Sequence, residues 1–381
     1  MKVTIVGAGN AGLSHAAMIA KQGHLVTILK TTRLMHDDSF DMLSKNKCIH
    51  YEKGSEKGVV AIANATRDIP DAISQADVIF VLTQSVAHKN ISKLISPHLR
   101  RGQILIVSPG YAGSFYFSTK CKERGVVFVE GESLPFDSRI IAPGKINICF
   151  ENIRNPIGVF PSNKTEQTLK RLHEILPSFT ARQNVLESAF LNPNLIIHTV
   201  GAIMSVARIE HSKGDFWMYR ESFTPTILKL IEDLDSEKKS IMAYFGLPTQ
   251  SFAESFQFRT HEDLSEDPAE AFHRYAQYGS PKGPVDAQTR YITEDVPMGL
   301  CFLSSIGEKA KIPTPVCDAL ITIASSMHQK DYYKEGRTLS QLGIDHYSAE
   351  ELKNILKTGF PPTVAYDTAQ PLESEPAVIF A

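Results

Sequence analysis

The chain has 381 residues, of which 43% are hydrophobic and 22% are charged, and its formal net charge is −2. This length allows two domains with sizeable cores, and the balance of residue types is that of a globular protein. Because the net charge is close to zero, there is no overall electrostatic attraction to nucleic acids or anionic membranes, and neither is expected as a partner.

The five cysteines follow no disulfide or metal-binding spacing. They stand at positions 48, 121, 149, 301 and 317, an odd number without a C-x-x-C pair. We expect buried, reduced thiols and no metal site. The first apolar strand begins at Lys2, which leaves no room for a signal peptide, and no apolar run is long enough to span a bilayer. The sequence therefore predicts a cytoplasmic protein.

An apolar segment at the start of the chain runs directly into a glycine-rich turn. Residues 2–6 read Lys-Val-Thr-Ile-Val, and residues 7–12 read Gly-Ala-Gly-Asn-Ala-Gly before a helical stretch. A G-x-G-x-x-G turn between a strand and a helix is typical of dinucleotide binding, because the glycines allow a tight turn and a close approach of the pyrophosphate to the helix N-terminus. No flavin-type signature accompanies it, so we predict a nicotinamide cofactor. The predicted contacts in the turn are Gly7, Gly9, Asn10, Ala11 and Gly12.

The end of the second predicted strand bears on the choice of cofactor. NAD-specific units usually place Asp or Glu there to bind the ribose 2′-hydroxyl, whereas this strand is followed by Lys-Thr-Thr-Arg. Lys30 and Arg33 can neutralise a 2′-phosphate, with the hydroxyl groups of Thr31 and Thr32 as donors. We predict NADP, and NAD bound without an acidic residue is the alternative. Thr83 follows a later strand and is expected to touch the nicotinamide half.

About the first 180 residues alternate apolar runs with helical or polar stretches, which predicts a Rossmann-type, doubly wound parallel sheet. The rest is helical, with prolines at several helix starts. We therefore predict an α/β protein with a cofactor-binding Rossmann domain at 1–184, an all-α substrate domain at 185–359 and a loose tail at 360–381. The predicted strands are Lys2–Val6, His24–Leu29, Val59–Ala63, Asp77–Leu82, Gln103–Val107, Val126–Val129, Ile146–Phe150 and Ile157–Phe160.

One predicted helix of the second domain, from Pro193 to His211, carries a histidine in an unusual setting. On the helical repeat, His198 shares one side with small or polar residues, and the opposite side is apolar and suits the core. We expect His198 to face open space that a ligand can fill. By pattern alone a lone helical histidine is more often structural than catalytic. The small or polar neighbours on its side are Asn194, Gly201, Ala202 and Ser205.

A second group of polar residues reads Arg-Tyr-Ile-Thr-Glu-Asp-Val-Pro at 290–297. Asp295 stands at a predicted helix start, where the simple interpretation is an N-cap. The functional interpretation is an ionised aspartate that orients a histidine and stabilises its imidazolium form. Arg290 is able to clamp a carboxylate through two parallel hydrogen bonds.

The sequence N-P-N-L-I-I-H at 192–198, together with R-Y-I-T-E-D-V-P at 290–297, resembles the opine dehydrogenase family, which includes octopine, nopaline and N-(1-carboxyethyl)amino-acid dehydrogenases. The resemblance extends from the glycine turn to 337–343. It implies that an α-keto acid such as pyruvate condenses with the amine of an amino acid, and that NAD(P)H reduces the imine. It also places the family's catalytic histidine at His198, its partner aspartate at Asp295 and its carboxylate-binding arginine at Arg290.

Two further segments have open interpretations. The loop 130–135 resembles the family's keto-acid loop, with Ser133 as a substrate donor, and a plain polar turn is the alternative. The aromatic residues at 216–219 line an apolar amine site or pack in the core. Competing functions are a keto-acid or 2-hydroxy-acid reductase without an amine substrate, and a nucleotide-sensing protein without turnover. The expected partners are a keto acid and an amino acid, and a homodimer is left open.

Overall fold

The computed structural model describes residues 1–33 and 35–362. Its strands form one sheet of eight strands and a second sheet of four. The strands are β1 (Lys2–Val6), β2 (Leu25–Leu29), β3 (Cys48–Lys53), β4 (Glu56–Ala61), β5 (Asn64–Thr66), β6 (Val78–Val81), β7 (Ile104–Val107), β8 (Val127–Gly131), β9 (Phe136–Ala142), β10 (Lys145–Glu151), β11 (Asn155–Phe160) and β12 (Phe179–Ala181).

The large sheet has the strand order β12-β11-β8-β7-β6-β1-β2-β5. Its six strands from β8 to β5 run parallel, in the order of a dinucleotide-binding fold. Strands β6 and β7 are wholly buried, as their continuously apolar sequences require for strands covered on both faces. The predicted α/β fold with a doubly wound sheet is therefore confirmed. The exceptions to this direction are β11, which pairs antiparallel to β8, and β12, which pairs parallel to β11.

The small sheet was not predicted, and it corrects two assignments. Strands β4 and β10, which correspond to the predicted strands at 59–63 and 146–150, belong to this sheet in the order β4-β3-β10-β9 and not to the doubly wound one. Both contain polar as well as apolar residues and are only partly buried. The small sheet packs on the first helix of the chain, where Asn10 Oδ1 accepts a hydrogen bond from the Ile140 backbone N–H at 2.8 Å.

Helices make up the rest of the described structure. Between 185 and 362 the described residues contain helices and loops, with one isolated β-bridge between Trp217 and Gly283. The helices are α1 (Asn10–Lys21), α2 (Asp37–Asn46), α3 (Ile69–Ser74), α4 (His88–Ile95), α5 (Phe115–Ser118), α6 (Thr165–Leu172), α7 (Val185–Phe190), α8 (Asn194–Met204), α9 (Val206–Ser212), α10 (Met218–Glu221), α11 (Pro225–Tyr244), α12 (Phe252–Thr260), α13 (Pro268–Arg274), α14 (Arg290–Thr293), α15 (Cys301–Ala310), α16 (Pro315–His328), α17 (Tyr332–Glu335), α18 (Leu339–Leu342) and α19 (Ala349–Thr358).

The helix predicted from 193 to 211 is broken. Helix α8 ends at Met204, and α9 starts beyond Ser205, whose backbone leaves the helical conformation. The side of α8 that carries His198 is also less open than expected. Gly201 and Ala202 are buried, and a Cβ at Gly201 would lie 2.9 Å from the Met218 sulfur. The small residues therefore admit a neighbouring helix rather than a ligand.

One apolar core joins the two halves of the protein. It is continuous from the face of the large sheet, through Ile79 and Leu105, to the helical residues Leu195 and Leu300. Burial of this shared surface keeps the helical half against the carboxyl ends of the parallel strands. The predicted tail begins at Phe360, whose ring packs 5.3 Å from that of Phe160 and is not loose. Residues 363–381 of that tail lie outside the described residues.

Membrane-spanning potential is confined to a bent segment. Among the described residues, no single helix combines the length and hydropathy needed to cross a bilayer. The bent pair of helical segments Val185–Met204 and Val206–Ser212 meets this requirement by length and composition alone.

Candidate active site

The glycine turn has the geometry that a bound dinucleotide requires. Gly7 has φ +122°, and a Cβ there would lie 2.6 Å from the Leu82 carbonyl oxygen. A Cβ at Gly12 would lie 1.9 Å from the Gly7 carbonyl oxygen, which no side chain tolerates. Among the described residues no side chain caps the N-terminus of α1. Its backbone N–H groups therefore remain available for a pyrophosphate, and the residues of the turn fit the predicted cofactor.

Thr83 adds a second indication that a ligand binds beside this turn. Its Oγ1 atom is buried and has no hydrogen-bond partner among the described residues. Its methyl group would lie 3.4 Å from a Cβ at Gly7. Since buried hydroxyl groups are normally satisfied, this one fits a contact with a bound cofactor.

The end of β2 is more crowded than the sequence indicates. The buried Lys30 amino group forms an ion pair with Asp37, in the first turn of α2, and also donates to the Thr32 carbonyl. Arg67 donates to the same Asp37 carboxylate at 2.7 Å. These two cations hold the pKa of Asp37 below its usual value. Arg33 is exposed and Thr31 is half-buried. Sequence analysis missed Arg67 and Asp37 because their pairing depends on how β5 lies beside β2.

His198 and Asp295 are brought together across the helical half, as predicted. The Nδ1 atom of His198 lies 2.9 Å from Asp295 Oδ2. Asp295 stands at the N-cap position of the helical turn Val296–Leu300, as the simple interpretation expects, but its side chain makes no capping hydrogen bond. Its other oxygen, Oδ1, accepts a hydrogen bond from the Tyr111 hydroxyl at 2.9 Å. Burial raises the pKa of the Asp295 carboxyl, and its hydrogen bonds with His198 and Tyr111 oppose that rise.

The other ring nitrogen of His198 points away from the carboxylate. Its Nε2 atom lies 3.0 Å from the Tyr219 hydroxyl, and the Tyr291 ring stacks on the imidazole at a centroid distance of 3.7 Å. Because a carboxylate only accepts hydrogen bonds, Nδ1 carries the proton toward Asp295, and Nε2 faces the Tyr219 hydroxyl on the opposite side of the ring. The pair can therefore deliver or accept a proton at one defined atom.

Arg290 is held at the edge of this site through Glu294. The Arg290 Nε atom donates to Glu294 Oε2 at 2.7 Å, and the side chain stays 61% exposed. The other Glu294 oxygen accepts from the Ser85 backbone N–H at 2.6 Å. Ser85 belongs to the loop that follows β6, at the carboxyl edge where cofactors bind. The guanidinium group is therefore linked through Glu294 to the loop that follows β6, with donors free for an anion.

Ser133 is not brought to the histidine–aspartate pair. Within the described residues it makes its hydrogen bonds with Asn152, which donates to its hydroxyl at 3.2 Å, and with Ser108, which donates to its carbonyl at 2.9 Å. Its neighbour Glu132 is fully buried and accepts hydrogen bonds from Arg182 and Arg259. This loop therefore contributes to the packing between the two halves.

The loop after β7 is a part of the site that sequence analysis missed. Tyr111 has φ +49°, a conformation that non-glycine residues rarely adopt, and its side chain is buried. The fully buried Arg337 donates to the Tyr111 carbonyl at 2.6 Å and to the Ser85 carbonyl at 2.8 Å. Glu130 accepts from the Ala112 backbone N–H at 2.9 Å. The position of Tyr111 directly after a parallel strand was the available signal.

The aromatic residues predicted at 216–219 separate in the structure. Phe216 is buried in the core, and Trp217 stacks with Arg220 and Lys282. Tyr219 is the member of this group that reaches His198.

The described residues contain no group of three or more His, Cys, Asp or Glu side chains able to hold a metal ion. The five cysteines are free thiols.

Two family models match the chain. The one described as NAD/NADP octopine/nopaline dehydrogenase, alpha-helical domain, matches residues 181–328. The one described as UDP-glucose/GDP-mannose dehydrogenase family, NAD binding domain, matches residues 1–108. Both matches fall on the halves of the chain that the structure assigns to helices and to the parallel sheet.

Similar proteins cover nearly the whole chain. An opine dehydrogenase of Arthrobacter sp. (strain 1C) is 29% identical, over 93% of this chain and 98% of the relative. Octopine dehydrogenase of Mizuhopecten yessoensis is 23% identical, over 88% of this chain and 92% of the relative. The structure of octopine dehydrogenase in complex with NADH and agmatine has a TM-score of 0.78 at 18% identity, covering 95% of this chain and 98% of that one. NADP⁺-bound yersinopine dehydrogenase has a TM-score of 0.70 at 13% identity, covering 94% and 98%.

A parallel sheet with a glycine turn, facing a helical half that presents a histidine–aspartate pair, defines a two-domain nicotinamide-dependent dehydrogenase. Within that class, the helical-domain match and the similarity over nearly the full length place the chain among oxidoreductases that act on CH–NH bonds. The chain is similar to opine dehydrogenases along nearly its whole length, and its residues 181–328 match the octopine/nopaline dehydrogenase helical domain.

Replacing Asp295 with Asn tests the link between this carboxylate and the histidine. We expect Asp295→Asn to lower kcat by about 100-fold or more, because the amide cannot balance an imidazolium charge. Activity that needs ionised Asp295 is lost as pH falls through its raised pKa. The acid limb of the kcat–pH profile should therefore disappear in the variant. NADPH affinity, measured by fluorescence titration, should stay within about twofold; an equal loss of NADPH binding would contradict this assignment.

Proposed function

We propose that the protein is an opine dehydrogenase that prefers NADPH and joins a pyruvate-like α-keto acid to the amine of an amino acid. The observation that carries this proposal is the His198–Asp295 pair, in which Nδ1 binds the carboxylate and Nε2 lies beside the Tyr219 hydroxyl, the position proposed for the keto oxygen. Nicotinamide in the reduced form supplies the hydride when bound. The protein's own residues orient two substrates and move one proton.

In the proposed reaction, the amine nitrogen attacks the keto carbon and a carbinolamine forms. His198, protonated at Nε2, holds the keto oxygen by a hydrogen bond and then gives its proton to the departing hydroxyl, which leaves as water. Asp295 keeps Nδ1 protonated and stabilises the imidazolium form. The amine passes one of its two protons to the keto oxygen when the carbinolamine forms and keeps the other, so loss of water leaves a protonated imine. Hydride addition to the imine carbon then gives the secondary amine of the product.

Arg290 is proposed to bind the carboxylate of the keto acid. Its Nε atom is held by Glu294, so that its terminal nitrogens are presented to the cleft as a planar fork. A carboxylate held by two hydrogen bonds presents the keto carbon in one orientation, which favours the reaction by positioning. Ser133 is proposed as a further substrate donor, since its hydroxyl retains a hydrogen to donate after accepting from Asn152.

An Arg290→Lys variant tests this role. An ammonium group cannot reproduce the guanidinium fork, so the KM for the keto acid should rise about 10-fold or more while the KM for NADPH stays within about twofold. Steady-state kinetics with each substrate varied in turn measures both constants. A rise confined to the KM for NADPH would instead assign Arg290 to the cofactor phosphates.

The preference for NADPH is proposed from charge at the end of β2. Lys30 and Arg67 there share one carboxylate, that of Asp37, and Arg33 adds an exposed cation at the end of the same segment. A 2′-phosphate would meet a net positive charge, whereas the 2′-hydroxyl of NADH would gain little. Solved relatives include one in complex with NADH and one bound to NADP⁺, so both cofactors occur on this fold.

The reaction itself is tested by NADPH oxidation with pyruvate, with and without a panel of amino acids. We expect turnover with pyruvate and an amino acid together to exceed turnover with pyruvate alone by about 100-fold or more, because hydride is transferred to an imine. The same assay with NADH should give a kcat/KM about 10-fold lower. Full turnover with pyruvate alone would identify a keto-acid reductase. Tight NADPH binding without turnover on any substrate would identify a nucleotide-sensing protein.

A further inference from the structure

We propose that the amine substrate is an amino acid with an uncharged, apolar side chain, and that this side chain binds against a group of aromatic rings beside His198. This inference rests on the proposed function, since it names the amine partner of the same reaction. The rings, called the aromatic cluster below, are Tyr219, Phe223, Phe256, Phe272, Tyr275 and Tyr291.

Two rings of the aromatic cluster contact His198, the residue proposed to transfer the proton. The Tyr219 hydroxyl lies 3.0 Å from His198 Nε2, the atom assigned to hold the keto oxygen. The Tyr291 ring stacks on the imidazole, with an angle of 18° between the two planes. An amine that attacks the keto carbon held at Nε2 must therefore approach beside these two rings. The side chain on its α-carbon extends toward the rest of the cluster.

The remaining rings continue outward from Tyr219 without a break. The Tyr219 ring lies 5.5 Å from that of Phe223 and 5.7 Å from that of Tyr275, and Phe256 lies 5.1 Å from Tyr275. Phe272 is buried behind them, whereas the other five members are only partly buried. These five rings therefore keep aromatic surface that the protein does not cover, next to a catalytic histidine. Such surface suits an apolar ligand group.

Three carboxylates near the cluster already have hydrogen-bonding or ion-pair partners. The carboxylate of Asp295 is bound by His198 and Tyr111, and that of Glu294 by Ser85 and Arg290. At the outer edge, Asp137 forms an ion pair with Arg139.

None of these three carboxylates among the described residues is unpaired. None is therefore available to an ammonium or guanidinium group of a substrate. An acidic side chain would lose its hydration against aromatic faces, which carry partial negative charge. The surroundings are also poorly solvated, since burial raises the pKa of Tyr275 to about 12. The site therefore selects against both charges. Aromatic rings also bind cations, so a cationic amino acid is the competing outcome that the experiment must exclude.

Norleucine and lysine provide a matched pair of substrates, because lysine is norleucine with an ammonium group added to its terminal carbon. With pyruvate and NADPH held constant, kcat/KM for norleucine should exceed that for lysine by about 100-fold, and phenylalanine and methionine should resemble norleucine. A kcat/KM for lysine, arginine or glutamate equal to or above that of norleucine would overturn the inference and leave the proposed function standing. If no amino acid is used with any keto acid, the proposed function fails and this inference fails with it.

Two tyrosines three residues apart provide the matched variants. Tyr275 belongs to the cluster, whereas Tyr278 is 86% exposed and lies outside it. Tyr275→Ala should lower kcat/KM for norleucine about 10-fold and that for alanine less than about twofold, because alanine does not reach the ring. Tyr278→Ala should change neither, and NADPH affinity by fluorescence titration should be the same in both variants. An unchanged norleucine-to-alanine ratio in Tyr275→Ala would overturn the assignment of the cluster.

From a separate observation, we infer that Tyr111 is a positioning residue for the histidine–aspartate pair, supplied by the cofactor-binding half. Its hydroxyl donates to Asp295 Oδ1 at 2.9 Å while His198 occupies Oδ2, so the carboxylate is held from both domains. The strained Tyr111 backbone is fixed by Arg337, and its ring fits against Gly299, where a Cβ would lie 3.0 Å from Cε1. The geometry of the pair therefore depends on docking of the nicotinamide-binding half.

A double-mutant cycle tests this role. Tyr111→Phe should lower kcat about 10-fold with the KM for NADPH within twofold, and it should move the acid limb of the kcat–pH profile to higher pH, because a hydrogen bond that lowers the pKa of Asp295 is lost. In the Asp295→Asn background the same change should cost nothing further. Tyr332→Phe, which removes an equally buried phenol bonded to His328, is the control. Multiplicative losses in the double variant, or an unmoved pH profile, would overturn the inference.

Discussion

A carboxylate buried between two domains requires a donor for each of its oxygens, and Asp295 meets this requirement with one donor from each half of the protein. His198 binds Oδ2 from the helical half, and Tyr111 binds Oδ1 from the loop after β7. Without them, burial alone would favour the neutral acid, which cannot support a protonated histidine. The chemistry of the site therefore depends on the contact between the two domains.

Other buried charges across the same interface follow the same rule. Glu132, in the sheet half, is paired with Arg182 and Arg259, and the latter lies on α12. Arg337 reaches from the helical half into the two loops that border the predicted nicotinamide site. Losing one partner of a buried pair costs about 3–5 kcal/mol, so these contacts oppose separation of the domains. They specify the relative placement of the two halves more than they add stability, since desolvation offsets much of their attraction.

The parts of the structure that depend on neighbouring residues were accessible from the sequence. The glycine turn and the buried parallel strands are specified within a few positions, and the structure has both of them. The small sheet was not accessible, because β10 pairs with β3 from a distant part of the chain and its strands are half polar. The break at Ser205 escaped detection because the apolar repeat continues through it.

The sequence by itself determined which residues carry reactive groups: the turn that fits a dinucleotide, His198, and an aspartate within a recognisable local pattern. Such residue types and short spacings can be recognised without any knowledge of long-range contacts. Only the tertiary structure decided what surrounds them. It shows that the Asp295 side chain makes no capping hydrogen bond and that Lys30 pairs with Asp37. It also places Tyr111 and Tyr219 at opposite ends of the histidine–aspartate pair. The physical reason is that hydrogen bonding and burial depend on distance in space, which sequence separation does not encode.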